Sequence, residues 1–163
     1  MERNEAWALL TKYNKDHFHL QHALTVEAVM RWYANELGYG DEADFWATVG
    51  LLHDLDWEEH EDDPMNHTIY AAEILEDEGA SPELIRAIQT HTSDFNSSLP
   101  KPELQMEKIL FACDELTGLI GAAVIMRPSK SVMDFTTKSL KKKFKDKRFA
   151  AGCSRDVISQ GAE

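Results

Sequence analysis

Cysteine is scarce in this 163-residue chain, long hydrophobic runs are missing, and basic side chains are outnumbered. Cys113 and Cys153 are the only thiols, and they form no C-x-x-C pair. That argues against a disulfide scaffold and against a cysteine-ligated metal site. No apolar stretch approaches the roughly 18 to 20 residues a bilayer span requires, and the opening MERNEAW is acidic and polar where a secretory signal is basic and then apolar. The expected compartment is cytoplasmic, with no membrane partner. Lys and Arg total 17 against 29 Asp and Glu, a net charge of -12. Phosphate backbones are held largely by Lys and Arg, so general nucleic-acid binding is not expected. The shortage of bases is uneven. Residues 1–126 carry 25 acids and 7 bases, whereas residues 127–149 carry nine bases against Asp134 and Asp146 alone. This stretch reads either as a solvated helix face or as a rim that attracts an anionic substrate.

What is present is helical. Apolar residues make up 43% and charged residues 28%, close to globular averages, and the length suits one ordinary domain. No convincing period-2 strand, internal repeat or low-complexity tract occurs. The start and stop signals predict helices over about 2–12, 15–37 (closed by Gly38), 42–53 (opened by Asp41), 64–78 (opened by Asp63-Pro64 and closed by Gly79), 82–91 (opened by Ser81-Pro82) and 103–126. Shorter helices are expected over 131–146 and 154–162. The acidic stretch 54–63 and the segment 92–101 read as loops. The expected architecture is all-α, a single compact helical bundle over 1–163, with a basic C-terminal extension over 127–163.

Polar residues fall on faces that should be buried. Residues at i, i+3, i+4 and i+7 share one side of a helix. By that count His53 aligns with Trp46, Val49 and Gly50, and His91 with Leu84, Ala87 and Ile88. His67 leads Tyr70, Ala71 and Ile74, His22 leads Val26 and Val29, and Asp114 sits on the stripe of Leu110, Phe111, Gly118 and Gly121. An unpaired buried polar group costs about 1 to 3 kcal/mol, so five of them would consume much of a typical stability of roughly 5 to 15 kcal/mol. Hydrogen bonds satisfy a single core histidine. A divalent cation satisfies several imidazoles and carboxylates at once, and helical bundles build such sites from facing helices. Asp54 adds a carboxylate beside His53 where the last turn of the helix can open. Gly50, Gly118 and Gly121 allow close backbone approach, or simply helix packing.

A His, an adjacent His-Asp and a distant Asp, all on helices, resemble the HD-domain superfamily of metal-dependent phosphohydrolases. The matching residues are His22 in QHALTVEAVMRW, His53-Asp54 in VGLLHDLDWE and Asp114 in ILFACDELTGLI, with NHTIYAAEIL and AIQTHTSDF between. The resemblance covers about residues 20–125, and RPSKS with KSLKKKFKDKRFAAGCSRD is similar to the tail of an uncharacterised subgroup of HD hydrolases. It implies a divalent metal on His22, His53, Asp54 and Asp114. Members with extra histidines bind two ions, and His67 and His91 stand at those positions. The implied division gives His22, His53 and Asp114 to one ion, His67 and His91 to the other, and Asp54 to both. A nitrogen-rich set with two carboxylates suits iron or manganese, with zinc, nickel and cobalt as alternatives, better than calcium or magnesium. Where family members carry Lys or Glu after the pair, this chain has Trp57.

The implied reaction is hydrolysis of a phosphoester, in a nucleotide or other small phosphorylated metabolite, by a metal-bound hydroxide. Arg127 and Lys130, past the Asp114 helix, are candidates for the substrate phosphate. Asp56, Asp94 or a metal-bound water is the candidate leaving-group acid. Two other functions remain open: a non-catalytic metal- or nucleotide-binding sensor with the same pocket, and an interaction protein with satisfied core histidines. His17 and His19 read as surface residues, and Glu58, Glu59, Glu61, Asp62 and Asp63 as a solvated acidic loop.

Overall fold

The computed structural model describes residues 1–163, and every regular element in it is a helix. In chain order these are α1 (Arg3–Tyr13), α2 (His17–Glu36), α3 (Ala43–Leu52), α4 (Trp57–His60), α5 (Ile69–Asp77), α6 (Pro82–Thr90), α7 (Gln105–Ile125), α8 (Thr137–Lys145) and α9 (Arg155–Gly161). A 3-10 turn over Gly40–Glu42 precedes α3. No helix is long and apolar enough to cross a membrane. The chain divides into two compact units, Met1–Phe111 and Ala112–Glu163. The division falls inside α7, upstream of the point where the sequence turns basic.

In the first unit local chemistry sets most helix ends. Asp16 accepts from the Phe18 N–H at 2.7 Å to open α2, and Ser81 accepts from Leu84 N–H with Pro82 in the first turn of α6. Gly38 and Gly79 take φ of 85° and 71° past the ends of α2 and α5, a region that favours residues without a Cβ. The N-terminus of α7 has a nonlocal anchor. Buried Glu107 accepts from the Glu103 and Leu104 N–H groups and pairs with Arg86 at 3.0 Å.

The core of this unit gathers Leu10, Val26, Met30, Trp46, Val49, Leu51, Leu52, Leu55, Leu75, Ile88 and Leu110. α2 and α3 are in closest contact at Gly50. A Cβ there would lie 2.8 Å from the Val26 carbonyl oxygen and 2.9 Å from Met30 Cγ. Only hydrogen fits at that point, and the approach brings the next turn of α3, with His53, against the preceding turn of α2, with His22.

Two expected elements of this unit differ, and Asp41 lies within the 3-10 turn instead of opening α3, whose N-cap is Glu42. The helix expected from Pro64 starts at Ile69, with residues 64–68 in turns, so His67 precedes α5 instead of riding on it. Asp63 does not cap it: its carboxylate accepts from Asn66 Nδ2 at 2.9 Å and the Tyr70 hydroxyl at 3.2 Å. Within the expected loop 54–63, Trp57–His60 forms one helical turn. Glu58 is no solvated loop residue there. It accepts from the Lys15 and Asp16 N–H groups at 2.8 and 2.9 Å and lies 3.2 Å from His19 Nδ1, which ties α4 to the start of α2.

In the second unit Thr136 caps α8 through Ser139 N–H, and Ser154 caps α9 through Val157 N–H. α8 therefore starts six residues later than the sequence predicts. A Cβ on Gly161 would meet Ala112 Cα at 2.6 Å, so the end of α9 lies directly on the backbone of α7. Arg155 organises the segment before α9. Its guanidinium donates to the carbonyls of Lys143, Phe144, Asp146, Phe149, Ala150 and Cys153 at 2.5 to 3.4 Å. Arg127 does the same for the turn after α7, donating to the Asp134 carbonyl and carboxylate at 3.1 and 2.8 Å.

Candidate metal centre

Two histidines sit just past helix ends and a third, His67, just before the start of α5, where each ring can hydrogen-bond to a helix carbonyl or a buried carboxylate. His53 Nδ1 donates to the Gly50 carbonyl at 2.8 Å, and His91 Nδ1 donates to the Ile88 carbonyl at 2.6 Å. A carbonyl only accepts, so Nδ1 carries the proton and Nε2 of the neutral ring carries the lone pair. His67 Nδ1 lies 2.7 Å from Asp56 Oδ1, which fixes it in the same way. Metal-ligating histidines characteristically hold their second nitrogen like this. All three rings are buried, and His22 is nearly so.

Their Nε2 atoms converge on Asp54, which follows the end of α3. Asp54 Oδ1 lies 3.1 Å from His67 Nε2 and 3.8 Å from His91 Nε2. Asp54 Oδ2 lies 3.3 Å from His53 Nε2 and 3.6 Å from His22 Nε2. Each oxygen thus faces a different histidine pair. Asp114 lies on α7, one turn beyond core residue Leu110. One ligand atom each from His22, His53 and Asp54 lie within 4.8 Å of one another, and the same holds for Asp54, His67 and His91.

The donor set fits divalent metal. His22 Nε2 and His53 Nε2 stand 3.2 Å apart, and the His53 lone pair is turned toward its neighbour. Two lone pairs in that position need a proton or a cation between them. Two metal–nitrogen bonds of about 2.1 Å, meeting between a right angle and a tetrahedral angle, separate their nitrogens by about 3.0 to 3.4 Å. Around His67 the electrostatics lead to the same conclusion. Burial alone would lower its pKa, but hydrogen bonds and charge from Asp54 and Asp56 outweigh this and raise it to about 9. Without metal, a second proton occupies the site on Nε2 that an ion would take. Burial also pushes the Asp54 carboxyl up, yet when these rings carry a second proton on Nε2 in place of metal, the charge of His53 and hydrogen bonds from His53, His67 and His91 hold it well below the usual carboxylate range.

Asp56 serves His67. It is fully buried, and its Oδ2 accepts from the Thr68 and Ala71 N–H groups at 2.8 and 3.1 Å while Oδ1 accepts from His67. This carboxylate holds Thr68 at φ 70°, an uncommon conformation for a β-branched residue, and the Thr68 and Thr92 hydroxyls bond at 2.8 Å. Trp57 stands edge-to-face against His67 with centroids 4.9 Å apart. Asp94 is exposed in the turn after His91. In the second unit Arg127 is bound to Asp134, and Lys130 is exposed with φ 46°. Cys113 and Cys153 are free thiols, both pushed up to about 11 by burial first and then by nearby carboxylates, chiefly Asp114 and Glu115 respectively.

Sequence periodicity pointed to the four histidines, but not to the anchors behind them. Glu58 on the start of α2 and Asp56 under His67 act across 42 and 11 residues of chain, and neither spacing matches a local motif.

Compared with known families, the chain matches the HD domain over residues 20–119. It matches no curated protein and no solved structure. The matched segment begins just before His22 and ends just after Asp114, so it encloses both candidate ligand groups.

Proposed function

The chain belongs to the HD-domain family, and on that premise we propose that it is a phosphohydrolase. Its substrate class is the phosphoester of a nucleotide or other small phosphorylated metabolite. The observation that carries this reading is the placement of the Asp54 carboxylate, one oxygen toward His22 and His53 and the other toward His67 and His91. A carboxylate so placed suits a two-metal site, with His22, His53 and Asp114 on one ion, His67 and His91 on the other, and Asp54 shared. Iron or manganese is the metal we favour, with zinc, nickel and cobalt as alternatives. When bound, such ions lower the pKa of water toward about 7 and neutralise charge developing on phosphoryl oxygens.

The protein's own groups have separable roles. Gly50 and Ile88 carbonyls hold His53 and His91 with Nε2 toward the centre. Asp56 orients His67, and its three N–H partners leave it a positioning residue in place of the proton donor the sequence offered. Among the carboxylates offered as leaving-group acids, that leaves Asp94. Trp57 covers one edge of His67 where family members carry a charged side chain. Lys130 offers an exposed ammonium to a substrate phosphate, whereas Arg127 would have to share its guanidinium with Asp134.

Plasma-emission analysis of the purified chain, followed by hydrolysis of a panel of nucleotides, sugar phosphates and cyclic dinucleotides with Mn²⁺ or Fe²⁺, tests this. Bound transition metal and phosphate release are expected. A chain with no metal and no release after either ion is added would overturn the proposal.

A further inference from the structure

The two units differ sharply in charge: Met1–Phe111 has 23 acids and 7 bases, and Ala112–Glu163 has 10 bases and 6 acids. Within the second unit the positive charge is arranged in a stripe. Lys138, Lys141, Lys142 and Lys145 fall at i, i+3, i+4 and i+7 of α8, and all four are exposed, while Leu140 and Phe144 on the other side are half-buried. Like charges at i, i+4 repel one another. The stripe holds two such pairs, with no carboxylate from Thr137 to Lys145 to relieve them. Lys147 and Arg148 extend the positive charge past the end of the helix.

The turn before α8 adds an apolar element. Ile125 is 50% exposed, Met126 72%, Val132 58% and Met133 91%. These side chains are held outward by a built structure. Arg127 clasps Asp134, Ser129 Oγ donates to the same carboxylate at 3.0 Å, and Lys130 adopts φ 46° between them. The Arg127 guanidinium also covers the Phe135 ring at 5.6 Å, so the aromatic is turned in and the aliphatic side chains out. Exposed apolar clusters of this kind mark interaction surfaces.

Against the sequence expectation of no membrane partner, we propose that the lysine stripe of α8 and the Ile125–Met133 turn together form a docking surface for an anionic lipid bilayer. Flexible lysines and protruding Met and Val side chains suit a fluid, negatively charged interface, which takes lysines at the headgroups and apolar side chains beneath them. Nucleic acid would call for exposed aromatics or free arginines. Here Phe135 and Phe149 are half-buried and covered by Arg127 and Lys143, and of the unit's three arginines Arg127 and Arg155 are spent on its own carboxylate and carbonyls, which leaves Arg148 alone exposed.

Co-sedimentation of the full chain with vesicles tests this. Phosphatidylcholine vesicles containing phosphatidylserine or phosphatidylglycerol should pellet the protein at low salt, less so as salt rises, and pure phosphatidylcholine should not. Replacing Lys138, Lys141, Lys142 and Lys145 by Gln should weaken binding at least about a hundredfold. Met126→Ser, Val132→Ser and Met133→Ser together should weaken it about tenfold or more. All these residues are exposed, so circular dichroism melting of both variants should match the parent. Equal pelleting with both vesicle types, or none, overturns the proposal. So does a Ser variant that binds anionic vesicles like the parent, or tighter binding to a duplex oligonucleotide. A parent oligomer that the Ser variant splits into monomers would assign the turn to contacts between copies and likewise overturn it.

Discussion

The two units handle buried and semi-buried polar groups in opposite ways. In Met1–Phe111, imidazoles and carboxylates are drawn together: four Nε2 atoms face the two oxygens of Asp54, and Asp56 braces one of the rings from behind. In Ala112–Glu163, polar side chains serve the backbone. Arg155 collects six carbonyls from the end of α8 and the irregular stretch after it, and Arg127 pins a turn through Asp134. An arginine that gathers carbonyls satisfies groups which otherwise lack partners, and nothing further is needed. A ring of lone pairs around a carboxylate is a different case, since it is stable only with protons or cations among its members. The first arrangement calls for a ligand, and the second replaces regular structure.

The largest expected effect follows from the shared position of Asp54. Asp54→Ala should remove metal from both ligand groups and lower phosphoester hydrolysis more than about a hundredfold, beyond the range of changes behind the ligands. Retention of half the metal would show that the two groups are independent. Next comes Asp56→Asn. It keeps the shape but weakens the brace on His67, so affinity for one of the two ions should fall about 10- to 100-fold while the other stays. Titration of metal content separates that outcome from collapse of the fold.

A pH effect comes from His67. Its pKa in the metal-free fold, about 9, lies above the ordinary imidazole value of roughly 6.5. A raised value stabilises the fold fully below about pH 6.5, and the contribution is lost as pH rises through about 9. The melting temperature of the metal-free chain should therefore fall between pH 7 and pH 10, and metal loading at pH 7 should release about one proton from this ring. Calorimetry in buffers of different ionisation enthalpy reads that proton directly.

Smaller effects are confined to one unit each. Gly50→Ala should destabilise by about 1 to 3 kcal/mol, because a Cβ would meet the Val26 carbonyl and α3 must move away from α2. Arg155→Lys should cost about 1 to 2 kcal/mol through lost carbonyl contacts, with metal content unchanged. Loss of metal in Arg155→Lys would break the comparison between the units.

Much of this arrangement was legible in the sequence where the cause is local. Asp16, Ser81-Pro82, Gly38 and Gly79 mark helix ends through bonds or backbone angles involving their own neighbours, and the wheel positions of His22, His53 and His91 follow from helical period. Misreadings came where a distant group intervenes. Asp63-Pro64 has the form of a helix start, yet the helix waits until Ile69 because Asp56 takes the Thr68 and Ala71 N–H groups. His67 was therefore placed on a helix it precedes, although it still reaches the centre. Glu58 reads as one more surface acid in a run of acids, and only folding brings the start of α2 to it. Likewise, nothing near Arg155 in the chain indicates that it will gather six carbonyls.

The most direct measurement is the number of transition-metal ions held per chain, by plasma emission, in the parent and in a variant with His67→Ala and His91→Ala. Two ions in the parent and one in the variant, with the melting temperature falling at each loss, is the expected result. A parent that takes up neither Mn²⁺ nor Fe²⁺, and melts at the same temperature with and without a chelator, would contradict a metal centre built on Asp54.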